Sequence, residues 1–544
     1  MKSHALLVLS LGVFSPALTP AVRAADKDVE AVAAAIDSRI AAAWDKDVKP
    51  AALADDAEFF RRIHLDLAGR IPSVTEIRDF LDDERPNKRR LWVDRILQAD
   101  PDDASYRDAY VTHFTNVWRG WLLAQTNQGA RFRQPALEAW LRQRLKRNVG
   151  YDRLVRELLT QPIAGNQGNR EDGSAAVFYQ ANEFKPENLA GSASRLFLGV
   201  KLECAQCHDH PFDKWKRKQF WEYAAFFASI QGGPGRPGRP GSPMAKAPTE
   251  KRTIKYKQGT KDIEVEARFL DGKVPAWKDN VAVRATLADW MTSPANPFFA
   301  RNAVNRMWAH FFGIGIIDPV DEPGDDHPPS HPELLDQLTK DFTDHKFDLK
   351  FVIRAITASK TYQLSSATAT EPTPEEARLF THMAVRGLSP EQLFDSLSQA
   401  TGDSQQLNRR FAEQRQRILS RFANPSDKPT EFQTSILQAL SLMNGEYMEE
   451  STKLDPSLLA QKGVEALQKR SGAALSAIAD APFFDTKGRI EALYLSALSR
   501  KPRPAELEKL VKYVDKGGPS GNSKRALADV FWALLNSPEF FLNH

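Results

Sequence analysis

Apolar side chains in the first two hundred residues recur every three to four positions, a period that admits helices and little else. Phe59, Ile63 and Leu67 fall at i, i+4 and i+8, Gly69 is placed to cap the C-terminus, and Pro72 ends the pattern. Ser73 followed by Glu76 reads as a capping box that starts another helix. The Ala-rich stretch 29–46 and the segments 88–98, 106–124, 134–147 and 151–160 keep the same period. Residues 188–200 are small and apolar, which predicts a buried helix delivering Lys201–Cys204 to the edge of the core. Phe220, Tyr223, Ala224 and Phe227 make an aromatic helical face, read here as core packing.

Residues 232–248 are rich in Gly and Pro and read as a linker or exposed loop. The formal dinucleotide fingerprint inside them, Gly233 to Gly238, carries no weight, because prolines remove the amides a phosphate needs and no strand precedes it. Ile254 and Tyr256, then Ile263, Val265, Ala267 and Phe269, alternate about Gly259 and predict a β-hairpin. From Val283 the helical period resumes. Ser330 is placed as the N-cap of a helix over 332–344, with Pro332 in its first turn. The expected fold is mainly α: two helical domains, 25–231 and 281–544, joined by a Gly/Pro-rich linker and hairpin at 232–280.

Lys2, an apolar run from Ala5 to Phe14, and Val22-Arg23-Ala24 before Ala25 read as a secretory signal peptide over residues 1–24. The run is too short to span a bilayer. Its removal takes the basic side chains from 74 to 72 against 70 acidic ones, a net of +2, so no nucleic-acid partner is expected. The chain is expected in the periplasm or secreted, with no transmembrane span.

Export gives meaning to the chain's two cysteines. Both lie in Cys204-Ala205-Gln206-Cys207-His208-Asp209-His210-Pro211, and Cys-x-x-Cys-His is the attachment signature of a c-type haem. Cys204 and Cys207 would form thioethers and His208 would be the proximal iron ligand. His210, two positions along a helix, points about 200° away and is not a ligand to the same iron. His331 is the first choice for a distal ligand, with His310, Met307 and Met443 as alternatives. Asp209 and Asp213 are read as solvated or capping residues.

The same residues support two other readings. Cys204, Cys207 and His210, with a distant ligand such as His331, could hold zinc or another divalent metal. The two thiols could also form a disulfide, leaving no cofactor. Asp321, Glu322, Asp325 and Asp326 near His327 form an acidic loop that could collect calcium, although a solvated loop is the plainer reading. Asn305 and Trp308 share a helix face, suited to packing. Gly-x-Ser-x-Gly, His-Glu-x-x-His and Walker phosphate loops are all missing from the sequence.

The cysteine motif with its His-Pro-Phe-Asp-Lys-Trp tail, preceded by Leu65-Asp-Leu-Ala-Gly-Arg-Ile-Pro72, resembles a cytochrome-c-like planctomycete domain of unknown function. Residues 296–308, 312–319, 328–336, 362–366 and 526–540 resemble the planctomycete-specific C-terminal domain that accompanies it. The resemblance implies an exported two-domain protein and no established reaction. It departs from the family at His327, where the family usually has Asn. The expected function is an exported cytochrome-c-like electron carrier with a redox or envelope partner. The rivals are a secreted binding or scaffolding protein whose cysteines form a metal site or disulfide, and a metal-dependent enzyme using the acidic loop.

Overall fold

A computed structural model describes residues 20–544 except 45, 47, 99–102, 104–105, 124–133, 163–172, 211–213, 231–251, 323–325, 369–372, 403–408, 423–444, 453 and 455–472. Most of the leader, the Gly/Pro-rich stretch, Asp213, Asp325 and Met443 lie outside the described residues.

The chain is mainly α. Helix Asp56–Ile63 starts at Asp55, whose carboxylate accepts from the Glu58 amide at 2.8 Å. It passes into a π-turn, His64–Ala68, that ends on left-handed Gly69 at φ 69°. Helix Val74–Leu81 carries the expected capping box between Ser73 and Glu76. Helices Lys88–Gln98, Gln134–Lys146 and Tyr151–Thr160 fall where the period put them, while the segment expected over 106–124 is helical only from Ala109 to Leu122.

The two sheets among the described residues are small antiparallel pairs. β1 (Thr253–Gln258) and β2 (Lys261–Glu266) form the expected hairpin, with Ile254 opposite Val265 and Tyr256 opposite Ile263. Gly259 supplies the turn at φ 62°. Ala267 and Phe269 lie beyond the paired strand. β3 (Arg386–Gly387) pairs with β4 (Leu542–Asn543).

Apolar packing does not divide at the Gly/Pro-rich stretch. One contiguous core gathers side chains from Val29 to Met383, on both sides of it, together with Leu495. Helix Pro20–Ala42 packs on Leu349–Ala358, and Tyr151–Thr160 packs on Val283–Met291. Phe220, Tyr223, Ala224 and Phe227 are buried here, as expected of core residues. A second cluster runs from Leu388 to Phe540 and takes in Leu65 and Ile71 from the first half.

Candidate functional site

The cysteine turn is set by the element before it. Helix Pro186–Ala193 runs into a second π-turn, Ser194–Leu198, closed by left-handed Gly199 at φ 69°. Asn302, from helix Phe299–Phe312, sits where a Cβ on Gly199 would be and donates to the Leu196 carbonyl at 2.8 Å. The chain then forms a short 3₁₀ turn, Glu203–Gln206. Leu202 and Ala205 are fully buried and fix that turn to the core, while Cys204 and Cys207 are exposed, unpaired thiols. Cys204 lies within the turn and Cys207 caps its end.

The expected helix does not continue through His208–His210. His208 and Asp209 bend and His210 is irregular, so the orientation argument that set His210 aside has no helix to act on. The His208 Nδ1 lies 2.7 Å from the Asp209 carbonyl, so Nδ1–H donates and Nε2 is the ring nitrogen left to act as a ligand. His210 donates its backbone amide to the Trp215 carbonyl at 2.9 Å. Asp209 accepts from the Arg217 amide at 2.9 Å, and this bond, with Lys216, holds its carboxyl below the usual range. It stays more than half exposed and reaches the first amide of helix Arg217–Ala224, whose N-cap position is held by Lys216. Trp221 Nε1 and Arg217 Nε both donate to the Gln206 carbonyl, at 3.1 and 3.2 Å.

The acidic loop closes on this turn through ion pairs. Lys201 pairs with Glu322, and Arg306 pairs with Asp321. Arg195 reaches Glu203 at 3.2 Å and Asp321 at 3.5 Å. Arg306 also donates to the Arg195 carbonyl at 3.2 Å and lies over Trp121. Burial, then the neighbouring Asp321, pushes the Glu203 carboxyl up, against the pull of Arg195, and its Oε2 is buried without a partner. Lys201 holds Glu322 below its ordinary value, with His327 and His210 adding to the effect. Asp321 and Glu322 are both engaged by guanidinium and ammonium groups of the cysteine region, Glu322 in a pair that stays partly solvated.

His331 has its own surroundings. It is buried against Phe380 at 5.6 Å, takes the N-cap position expected of Ser330, and makes no side-chain cap bond. Ser330 Oγ is drawn instead to the Ile316 carbonyl at 3.2 Å and to His331 Nδ1 at 3.0 Å. Burial, helped by Arg378, lowers the His331 pKa to about 4, and its Nε2 has no partner. Met307 is core, and His310 lies beside His113 with ring centroids 5.7 Å apart. Asn305 bonds both the amide and the carbonyl of Ile317 at 2.9 Å, and Trp308 is fully buried, so both serve packing. Among the described residues no group of three or more His, Cys, Asp or Glu is arranged to hold a metal ion.

Sequence reading missed a second polar centre. Asp66, in the first π-turn and 1% exposed, accepts from Arg386, Tyr362 and Asn543 at 2.7–2.9 Å. His310 Nε2 lies 3.3 Å from the Asp66 carbonyl, and Arg386 donates to the His310 carbonyl at 2.6 Å. The only signal was a carboxylate inside an otherwise apolar run, Leu65-Asp66-Leu67.

Fold and site together define a mainly helical protein with an exposed dithiol–histidine turn, closed by ion pairs from a second region. Residues 35–232 match the model for PSCyt2, a protein of unknown function (DUF1549), and residues 283–428 match PSD1, a protein of unknown function (DUF1553). The chain thus carries these two domains in that order, consistent with a two-domain planctomycete family. No curated protein and no solved structure matches it. No helix among the described residues is long and apolar enough to cross a membrane.

Proposed function

We propose that this chain is an exported c-type haem protein that passes single electrons, with Cys204 and Cys207 as thioether attachment points and His208 as the proximal ligand. The observation that carries this reading is the short turn that leaves two unpaired thiols exposed, followed directly by an imidazole held through Nδ1. The donor set fits the group: exposed thiols accessible to vinyl carbons, and an imidazole oriented through its Nδ1 by a backbone carbonyl. Bound haem would supply a one-electron couple. The chain's own residues hold the site. Leu202 and Ala205 anchor the turn, Asp209 orients His208 through its backbone carbonyl, and the Lys201–Glu322 pair borders the thiols.

A second reading is favoured by one observation. The described surroundings of the cysteines are ion pairs rather than an apolar wall, which suits a secreted binding or scaffolding protein with a Cys204–Cys207 disulfide as a clip.

Expression with the export signal in a host that matures c-type haem, followed by a spectrum of the denatured, purified chain, separates the two. A Soret band and a sharp reduced α-band that stay with the polypeptide, and that Cys204→Ser and Cys207→Ser each weaken, are expected. A colourless protein under those conditions overturns the haem reading, and thiol counting on the same sample then detects the disulfide.

A further inference from the structure

A cleft of about 360 Å³ opens beside the hairpin, far along the sequence from the cysteine turn. Its size falls in the lower part of the range for small-molecule pockets. One wall is the end of a three-ring ladder. Phe226, fully buried, stacks on Phe269 with centroids 5.2 Å apart and planes at 12°. Phe269 stacks on Trp290 at 4.8 Å and 9°. Phe226 belongs to the core, whereas Phe269 and Trp290 are part-exposed and line the cleft.

The indole is held in place. Asp271 accepts from Trp290 Nε1 at 3.3 Å while its other oxygen accepts from the Lys273 amide at 3.1 Å. With its N–H satisfied and one face stacked on Phe269, Trp290 offers a fixed aromatic surface whose faces carry the negative end of the ring quadrupole. The charged lining is largely paired: Lys273 Nζ lies 3.0 Å from Asp271, and Asp289 pairs with Arg156. Such a cleft has no net preference for an ion, and it presents both hydrogen-bond donors and acceptors around an aromatic platform.

We propose that this cleft binds a neutral pyranose ring of an oligosaccharide. Axial C–H groups of the sugar carry partial positive charge and lie on the indole face, while its hydroxyls reach the carboxylates and ammonium groups at the rim. A cationic ligand would meet the two lysines and an anionic one the two aspartates. An apolar ligand would desolvate these charged groups and offer them no hydrogen bond in return.

Titration calorimetry of the full chain with cellopentaose, maltopentaose and mannopentaose tests this. At least one is expected to bind saturably, and Trp290→Ala to weaken that binding at least tenfold. Trp290→Phe keeps a ring against Phe269, so the local packing survives, and it should lose at least threefold but less than the alanine variant. Absence of binding by all three oligomers, or unchanged affinity in Trp290→Phe, overturns the proposal. So does tighter binding of a cationic glucosamine pentamer than of any neutral oligomer.

Discussion

One nitrogen of Arg386, Nη2, stands 2.9 Å from both carboxylate oxygens of Asp66, across 320 positions of sequence, with both side chains almost wholly buried. Tyr362 and Asn543 complete the shell at 2.7 Å each. The pair therefore ties the first π-turn, the helical second half and the β3–β4 pairing to one point.

Removing one partner leaves a buried charge without compensation. Asp66→Ala or Arg386→Ala should each cost about 3–5 kcal/mol in denaturant unfolding. The exposed pair Lys340–Asp344 supplies the contrast, and Lys340→Ala should leave the unfolding midpoint essentially unchanged. Equal effects at the two sites would show that the Asp66 shell carries no special load.

His64 gives the molecule an acid sensitivity that begins above the carboxylate range. It is fully buried, with Nδ1–H donating to the Phe60 carbonyl at 2.9 Å and Nε2 accepting from Tyr106 at 2.8 Å. Burial lowers its pKa from 6.5 to about 4. The unfolded chain takes up a proton near 6.5 and the folded chain only near 4, so this contribution is complete above pH 6.5 and lost as pH falls through that window. The loss amounts to roughly 3 kcal/mol at most. Unfolding midpoints measured from pH 7 to 4 should fall less steeply in His64→Gln than in the parent chain.

The two acids of the rim should behave differently. Asp321 holds Arg306, which is mostly buried, and also meets Arg195, so Asp321→Asn should cost about 1–3 kcal/mol. Glu322 meets Lys201 at a pair that is 37–44% exposed, so Glu322→Gln should change stability by less than about 1 kcal/mol. Raising the salt concentration should shrink the second effect more than the first.

Two glycines predict opposite signs for the same substitution. Gly69 has φ 69°, and a Cβ there would stand 2.5 Å from His113 Nδ1. Gly69→Ala should cost more than the ~1–2 kcal/mol of the left-handed backbone alone. Gly120 is exposed within helix Ala109–Leu122 and has nothing within 4 Å of its Cβ position, so Gly120→Ala should stabilise by up to about 1 kcal/mol. Thermal melts of the two variants check both signs.

Local rules served where local forces decide. The caps at Ser73 and Gly69, the hairpin about Gly259 and the core face of Phe220 and Tyr223 were legible because period, capping chemistry and burial act over a few residues. Ser330 failed as a cap because the Ile316 carbonyl, fourteen positions upstream, competes for its hydroxyl. The pairing of Asp321 and Glu322 with Arg195, Arg306 and Lys201 could not be read, since the loop spacing says nothing of which cations approach it. Asp66 was hidden for the same reason: its four partner groups come from positions as distant as Asn543. The cysteine turn was visible as a motif, but its 3₁₀ geometry and the bend at His208 depend on the buried anchors Leu202 and Ala205.

The core that crosses the Gly/Pro-rich stretch has an evolutionary corollary. Asn302 fills the space that Gly199 leaves empty, and helix Val283–Met291 covers helix Tyr151–Thr160, so neither matched region closes its own apolar face. Lineages that lost or exchanged one region alone would inherit an exposed hydrophobic surface. The two should therefore descend as a single unit, with residues such as Gly199 and Asn302 changing together or not at all.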